Sequence, residues 1–126
     1  MALKSSLGHA KGLGSAHSGA AHFWAQRVTA VALVPLMIWL VASLVRLTGA
    51  DYETASAFFA APMGAVVALL VIGAGTFHLK LGVQVIVEDY VHSEGTKLAL
   101  LMLSNFFCVL IGVAGSFAVL KLAFSH

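Results

Sequence analysis

The chain is short of charge, of cysteine and of proline, and each shortage excludes something. Only 10% of the 126 residues are charged, whereas 60% are hydrophobic. A soluble domain of this size has too much surface for its volume to be covered by so few polar groups. Lipid is therefore the expected solvent for much of the chain. The formal net charge of +2 is too small for a nucleic-acid surface. One cysteine, Cys108, lies inside an apolar run, which rules out an intrachain disulfide, and no CxxC pair exists to hold a metal or cluster. Any flavin or iron–sulfur chemistry belongs to another chain.

What the chain has is long apolar runs. A bilayer core about 30 Å thick is crossed by roughly 20 apolar residues in helix. Three segments reach that length, at about 28–47, 63–87 and 98–120. They predict an all-α integral membrane protein with a membrane domain over 28–126, preceded by an arm over 1–27. Pro62 suits the first turn of the second span, and Pro35 should kink or loosen the first. The arm holds Lys4, Lys11 and Arg27 and no acid, and reads as cytoplasmic rather than as a transit peptide, for which it has little arginine. The next connection has Arg46 against Asp51 and Glu53, so the positive-inside rule places the N-terminus in the cytoplasm and, after three spans, His126 in the periplasm.

The second span carries ionisable groups in "FHLKLGVQVIVEDY", Phe77 to Tyr90. His78 lies nine residues from Val87, about 14 Å along a helix, near mid-bilayer. An imidazole there needs a partner. A hydrogen bond to a neighbouring helix is the ordinary solution; axial ligation of haem iron is the other. Gly75 and Gly82 flank His78 on one helix face and leave room for a flat macrocycle, although glycines in membrane helices also admit a neighbouring helix. His9, His17 and His22 in the arm, His92 in a loop and His126 at the tail are poorly placed as second ligands, so a second histidine would come from another subunit.

Asp89 follows His78 by eleven residues, about three turns, and falls on the same face. Tyr90 stands beside it at the water boundary. An interfacial tyrosine is commonly an anchor, but a phenol beside a carboxylate also suits quinone reduction, which needs a donor to a developing oxyanion and a route for protons. Arg27 is expected at the cytoplasmic boundary, level with Asp89, either as an anchor or paired with a haem propionate. Lys80 points about 200° away from His78 and should snorkel or meet another subunit. Glu88 reads as solvated.

Two stretches resemble a known family. "HLKLGVQVIVEDYV" is similar to the His-x3-Gly-x6-Asp-Tyr signature of the small hydrophobic anchor of succinate dehydrogenase, respiratory complex II. "GAAHFWAQRVTA" resembles the Gly-x7-Arg-x-Thr-Ala entry to that family's first helix. The resemblance runs from about Gly19 onward. It implies a four-subunit enzyme of the respiratory chain and citric acid cycle. In it a flavoprotein with FAD oxidises succinate, an iron–sulfur subunit carries electrons to ubiquinone, and two three-helix anchors share haem b. By motif position His78 is the haem iron ligand, Tyr90 and Asp89 belong to the quinone site, Arg27 lies near the propionates and quinone pocket, and His22 is a further propionate candidate. The chain alone would not be active. The short arm favours a bacterial cytoplasmic membrane over the mitochondrial inner membrane. A haem-b anchor of a fumarate reductase or other dehydrogenase stays open, as do a bare structural anchor and a small proton-coupled transport component using His78, Lys80 and Asp89 as a relay.

Overall fold

A computed structural model describes residues 16–125. Lys4, His9, Lys11 and His126, the side chain of His17, and the order of the first part of the arm lie outside the described residues. The rest forms four helices: α1 (Ala16–Arg46), α2 (Tyr52–Ala60), α3 (Pro62–Tyr90) and α4 (Glu94–Phe124). Three stretches are long and apolar enough to cross a membrane, Gly19–Arg46, Pro62–Tyr90 and Glu94–Phe124. Helix is the form these runs must take in lipid, because it satisfies every interior N–H and C=O within one segment.

Two features go beyond the reading of apolar runs. Helix α1 starts at Ala16, well ahead of Val28, and continues unbroken through Pro35. Its first turns, "AHSGAAHFWAQR", are rich in alanine, the best helix former, so the membrane helix propagates backward through a polar stretch. The connection after Arg46 also contains a helix, α2. Gly49, with φ of 80°, turns the chain out of α1. Asp51 then caps α2, its Oδ1 accepting from the Thr54 N–H at 2.9 Å. Hydrogen bonding from Thr54, side chain first and backbone second, holds the Asp51 carboxyl below the ordinary carboxylate range.

The corner from α2 to α3 follows from three residues. Ala61 is extended (φ −60°, ψ 142°), as a residue before proline is pushed to be, and Pro62 opens α3. Gly64 packs against the Phe58 backbone so closely that a Cβ there would collide with the Phe58 carbonyl. Backbone cannot yield as a side chain does. Gly64→Ala is therefore expected to lower the thermal midpoint of the protein and its recovery from detergent, whereas Gly95→Ala, where a Cβ meets nothing within 4 Å, leaves both unchanged. Trp39 of α1 holds α2 from the other side, stacked on Phe58 at 5.9 Å between centroids and edge-on to Phe59 at 6.3 Å.

Helix α3 lies in the middle: α1 and α4 each pack along it and do not approach each other. Gly64, Ala65, Ala68, Leu81 and Val87 of α3 are accordingly buried. Ala65 and Ala68 meet Val119 near one end, and Ile72 and Thr76 lie against Gly115 and Gly112, so α3 and α4 run antiparallel with small residues at the seam. The outer faces stay apolar. Val31, Ile38 and Val45 of α1 are 72%, 66% and 69% exposed, and Phe106, Leu110 and Phe117 of α4 are 68%, 67% and 66% exposed. Stripes this apolar suit acyl chains or other apolar helices rather than water.

Candidate functional site

The site starts from one contact between helices. His78 is half-buried on α3, and its Nδ1 lies 2.9 Å from the Thr29 hydroxyl of α1. One turn nearer the start of α1, the Gln26 amide nitrogen sits 3.9 Å from where a Cβ on Gly82 would stand. Together these contacts set the antiparallel register of α1 and α3.

That register corrects one expectation. Arg27 is not level with Asp89. It lies level with about Leu81, and the α1 residue level with Asp89 is about Gly19. The cause is the backward extension of α1, which places eleven helical residues, Ala16 to Gln26, ahead of Arg27. Arg27 is thus only about 3 Å along the axis from the Thr29–His78 contact, whereas Asp89 is about 16 Å beyond His78. The Arg27 side chain is exposed on the outside of α1, its guanidinium 5.1 Å above the Phe23 ring centre. Among the described residues the one ion pair is Lys97–Glu94 at 3.5 Å, so Arg27 has no carboxylate partner there.

His22 shares the α3-facing side of α1 with Gln26 and Thr29. Its Nε2 and the Gln26 Oε1 are both buried without a hydrogen-bond partner. Buried polar atoms left unpaired are uncommon and call for an explanation. Gln26 and Thr29 stand in "GAAHFWAQRVTA" but had no site role assigned from the sequence. The signal was available: positions 22, 26 and 29 repeat at helical spacing, which aligns three polar side chains on one face.

His78 Nε2 makes no hydrogen bond among the described residues, yet it is not enclosed, and so reaches the surface of the chain. A Cβ on Gly75 would meet nothing within 4 Å. The chain's own packing therefore does not require that glycine, and the room beside the imidazole faces outward. An open ring nitrogen with a bare backbone patch one turn away fits an axial ligand to a flat macrocycle.

Asp89 and Tyr90 are not brought to His78. Both are exposed at the end of α3, Tyr90 at 77%, with Tyr90 rotated about 120° from the His78 face. Neither side chain has a hydrogen-bond partner among the described residues, whereas neighbouring Glu88 accepts from Gln84 Nε2 at 2.9 Å. Lys80 points to the opposite side, into an open groove of about 660 Å³ between α3 and α4 that it shares with Thr76, Phe77, Cys108 and Phe117. His78, Lys80 and Asp89 therefore form no continuous relay within the chain.

Three apolar spans with small residues at their seams define a multi-pass helical membrane protein. Residues 1–112 match the family described as the succinate dehydrogenase/fumarate reductase transmembrane subunit, and the chain belongs to that family. It is 36% identical over 98 residues to the succinate dehydrogenase hydrophobic membrane anchor subunit of Paracoccus denitrificans, covering 78% of this chain and 75% of that one. It is 30% identical over 111 residues to the subunit of the same name from Rickettsia typhi, covering 88% of this chain and 89% of that one. No solved structure matches it.

Proposed function

We propose that the chain is the membrane anchor subunit of a bacterial succinate dehydrogenase. In this reading it binds haem b through His78, shares the haem with a second three-helix anchor, and contributes Tyr90 and Asp89 to the site of ubiquinone reduction. The observation that carries the haem reading is the divided imidazole: Nδ1 tied to Thr29 inside the chain, Nε2 open at its surface beside Gly75. When bound, haem b supplies a one-electron redox centre in the membrane.

The chain's own residues then have separable tasks. His78 would hold the haem iron, together with a histidine of the second anchor. Arg27, exposed within about a turn of the depth of His78, is a cation for the haem propionates. An arginine at such depth is costly unless it meets an anion or the interface, which gives it reason to be so engaged. His22, with its buried unpartnered nitrogen, is a second candidate donor. At the water boundary the Tyr90 phenol donates to a quinone carbonyl, and Asp89 holds protons within reach of solvent. Quinone becomes quinol by taking two electrons from the cluster of an iron–sulfur partner and two protons from the cytoplasmic side. Succinate oxidation and FAD reside in a flavoprotein partner.

Orientation follows charge: the arm inside, and Asp51 and Glu53 outside. The relatives are all named for succinate dehydrogenase, whereas the family also covers fumarate reductase, and the proposal follows the relatives. Affinity purification through a tag on this chain tests it. A flavoprotein, an iron–sulfur protein, a second anchor and a b-type band in the reduced-minus-oxidised spectrum are expected. Recovery of the chain alone, colourless, would refute it.

A further inference from the structure

Thr29 stands in "GAAHFWAQRVTA", where the proposed function gives it no task. Its hydroxyl has three neighbours: the Ala25 carbonyl at 2.7 Å, the Gln26 carbonyl at 3.1 Å and His78 Nδ1 at 2.9 Å. A hydroxyl has one proton to donate and two lone pairs to accept with. Carbonyls only accept, so the proton satisfies Ala25, the nearer of the two. The lone pair left on Oγ1 then faces Nδ1, and that contact is favourable when Nδ1 carries the imidazole proton. In the other tautomer Thr29 would donate to Nδ1, and Nε2–H would point out of the chain into apolar surroundings with no acceptor among the described residues.

We infer that Thr29 is a positioning residue that fixes His78 as its Nδ1–H tautomer and locks the ring across the α1–α3 seam, so that Nε2 presents its lone pair to the metal. This rests on the haem reading above and adds to it a task for a second helix. Partners to the far nitrogen of a ligating histidine orient the ring and raise its basicity, and their loss ordinarily weakens metal binding by 10–100-fold. A more basic imidazole favours ferric over ferrous iron. Loss of the acceptor should therefore raise the haem midpoint potential.

The test uses the assembled complex with Thr29→Val, which keeps the shape and removes the hydroxyl, and Thr29→Ser, which keeps the hydroxyl. The readouts are haem content per complex and the potential from an optical redox titration. In Thr29→Val the ferric-to-ferrous ratio at a fixed potential should fall several-fold, a tenfold fall being an upward shift of about 59 mV, and haem should be lost more readily in detergent. Thr29→Ser should lie close to the unaltered complex. If Thr29→Val does not assemble, Thr29→Ala compared with Thr29→Ser carries the same contrast. Equal potentials and equal haem retention with and without the hydroxyl overturn the inference while leaving His78 as ligand. No haem in the unaltered complex overturns the haem reading itself.

Discussion

His78→Ala is expected to remove the b-type optical signal from the purified complex, leaving less than a tenth of the haem per flavin. Neither of the other histidines described is placed to take over. His22 shares its helix face with Thr29 but sits about 10 Å along α1 from it, and His92 is exposed in the turn between α3 and α4. Alanine also removes the Thr29–His78 contact between α1 and α3, so some loss of stability will accompany the change. The two effects separate by assay. Succinate oxidation by an artificial dye needs only the flavoprotein and iron–sulfur partners, and it reports whether they are still attached. His92→Ala is the control and should keep full haem. Haem retained in His78→Ala would assign the iron to other ligands.

Tyr90→Phe should slow quinone reduction by about 10²-fold while leaving succinate-to-dye activity within about twofold of the starting value. The estimate is the ordinary loss when one donor to a developing oxyanion is removed from a preorganised site. Phenylalanine keeps the ring and hence the membrane-interface anchoring that a terminal tyrosine provides, so the variant isolates the hydroxyl. Tyr90 is 77% exposed and ends α3, and its replacement disturbs no packing within the chain. Parallel loss of both activities would indicate detachment of the partners, and unchanged quinone reduction would remove Tyr90 from the site.

The sequence and the structure agree where physics depends on composition and length. Three long apolar runs had to be helices, and a lone histidine among them had to be accounted for. What composition could not give was the register between helices. The level of Arg27 was wrong when counted from the edge of an apolar run, because α1 continues as helix through "AHSGAAHFWAQR", where no hydropathy boundary marks it. Helix α2 was missed for a related reason. It is only nine residues long, and its start is set by the Asp51 cap and its end by Pro62, not by a periodic apolar face. Thr29 was in plain view but carried no message by itself, since a threonine in a membrane helix ordinarily bonds its own i−4 carbonyl. It does so here, to Ala25, and the structure adds the second partner across the seam.

In the proposed function His78 and Tyr90 give one helix two tasks that do not meet. The imidazole faces outward about 18 Å along α3 from the phenol at its end, so the proposed haem and quinone sites share a scaffold and no side chain. Substitutions at one should leave the other's assay intact, provided the complex assembles.

The proposed function turns on the open nitrogen of His78 being a metal ligand. A cryo-electron microscopy map of the intact complex in lipid nanodiscs tests it most directly. Porphyrin density is expected against Gly75, with His78 Nε2 bonded to iron and Nδ1 still against Thr29. A map with the His78 ring turned to acyl chains or to a partner's hydrogen-bond acceptor, and no porphyrin beside it, would contradict it.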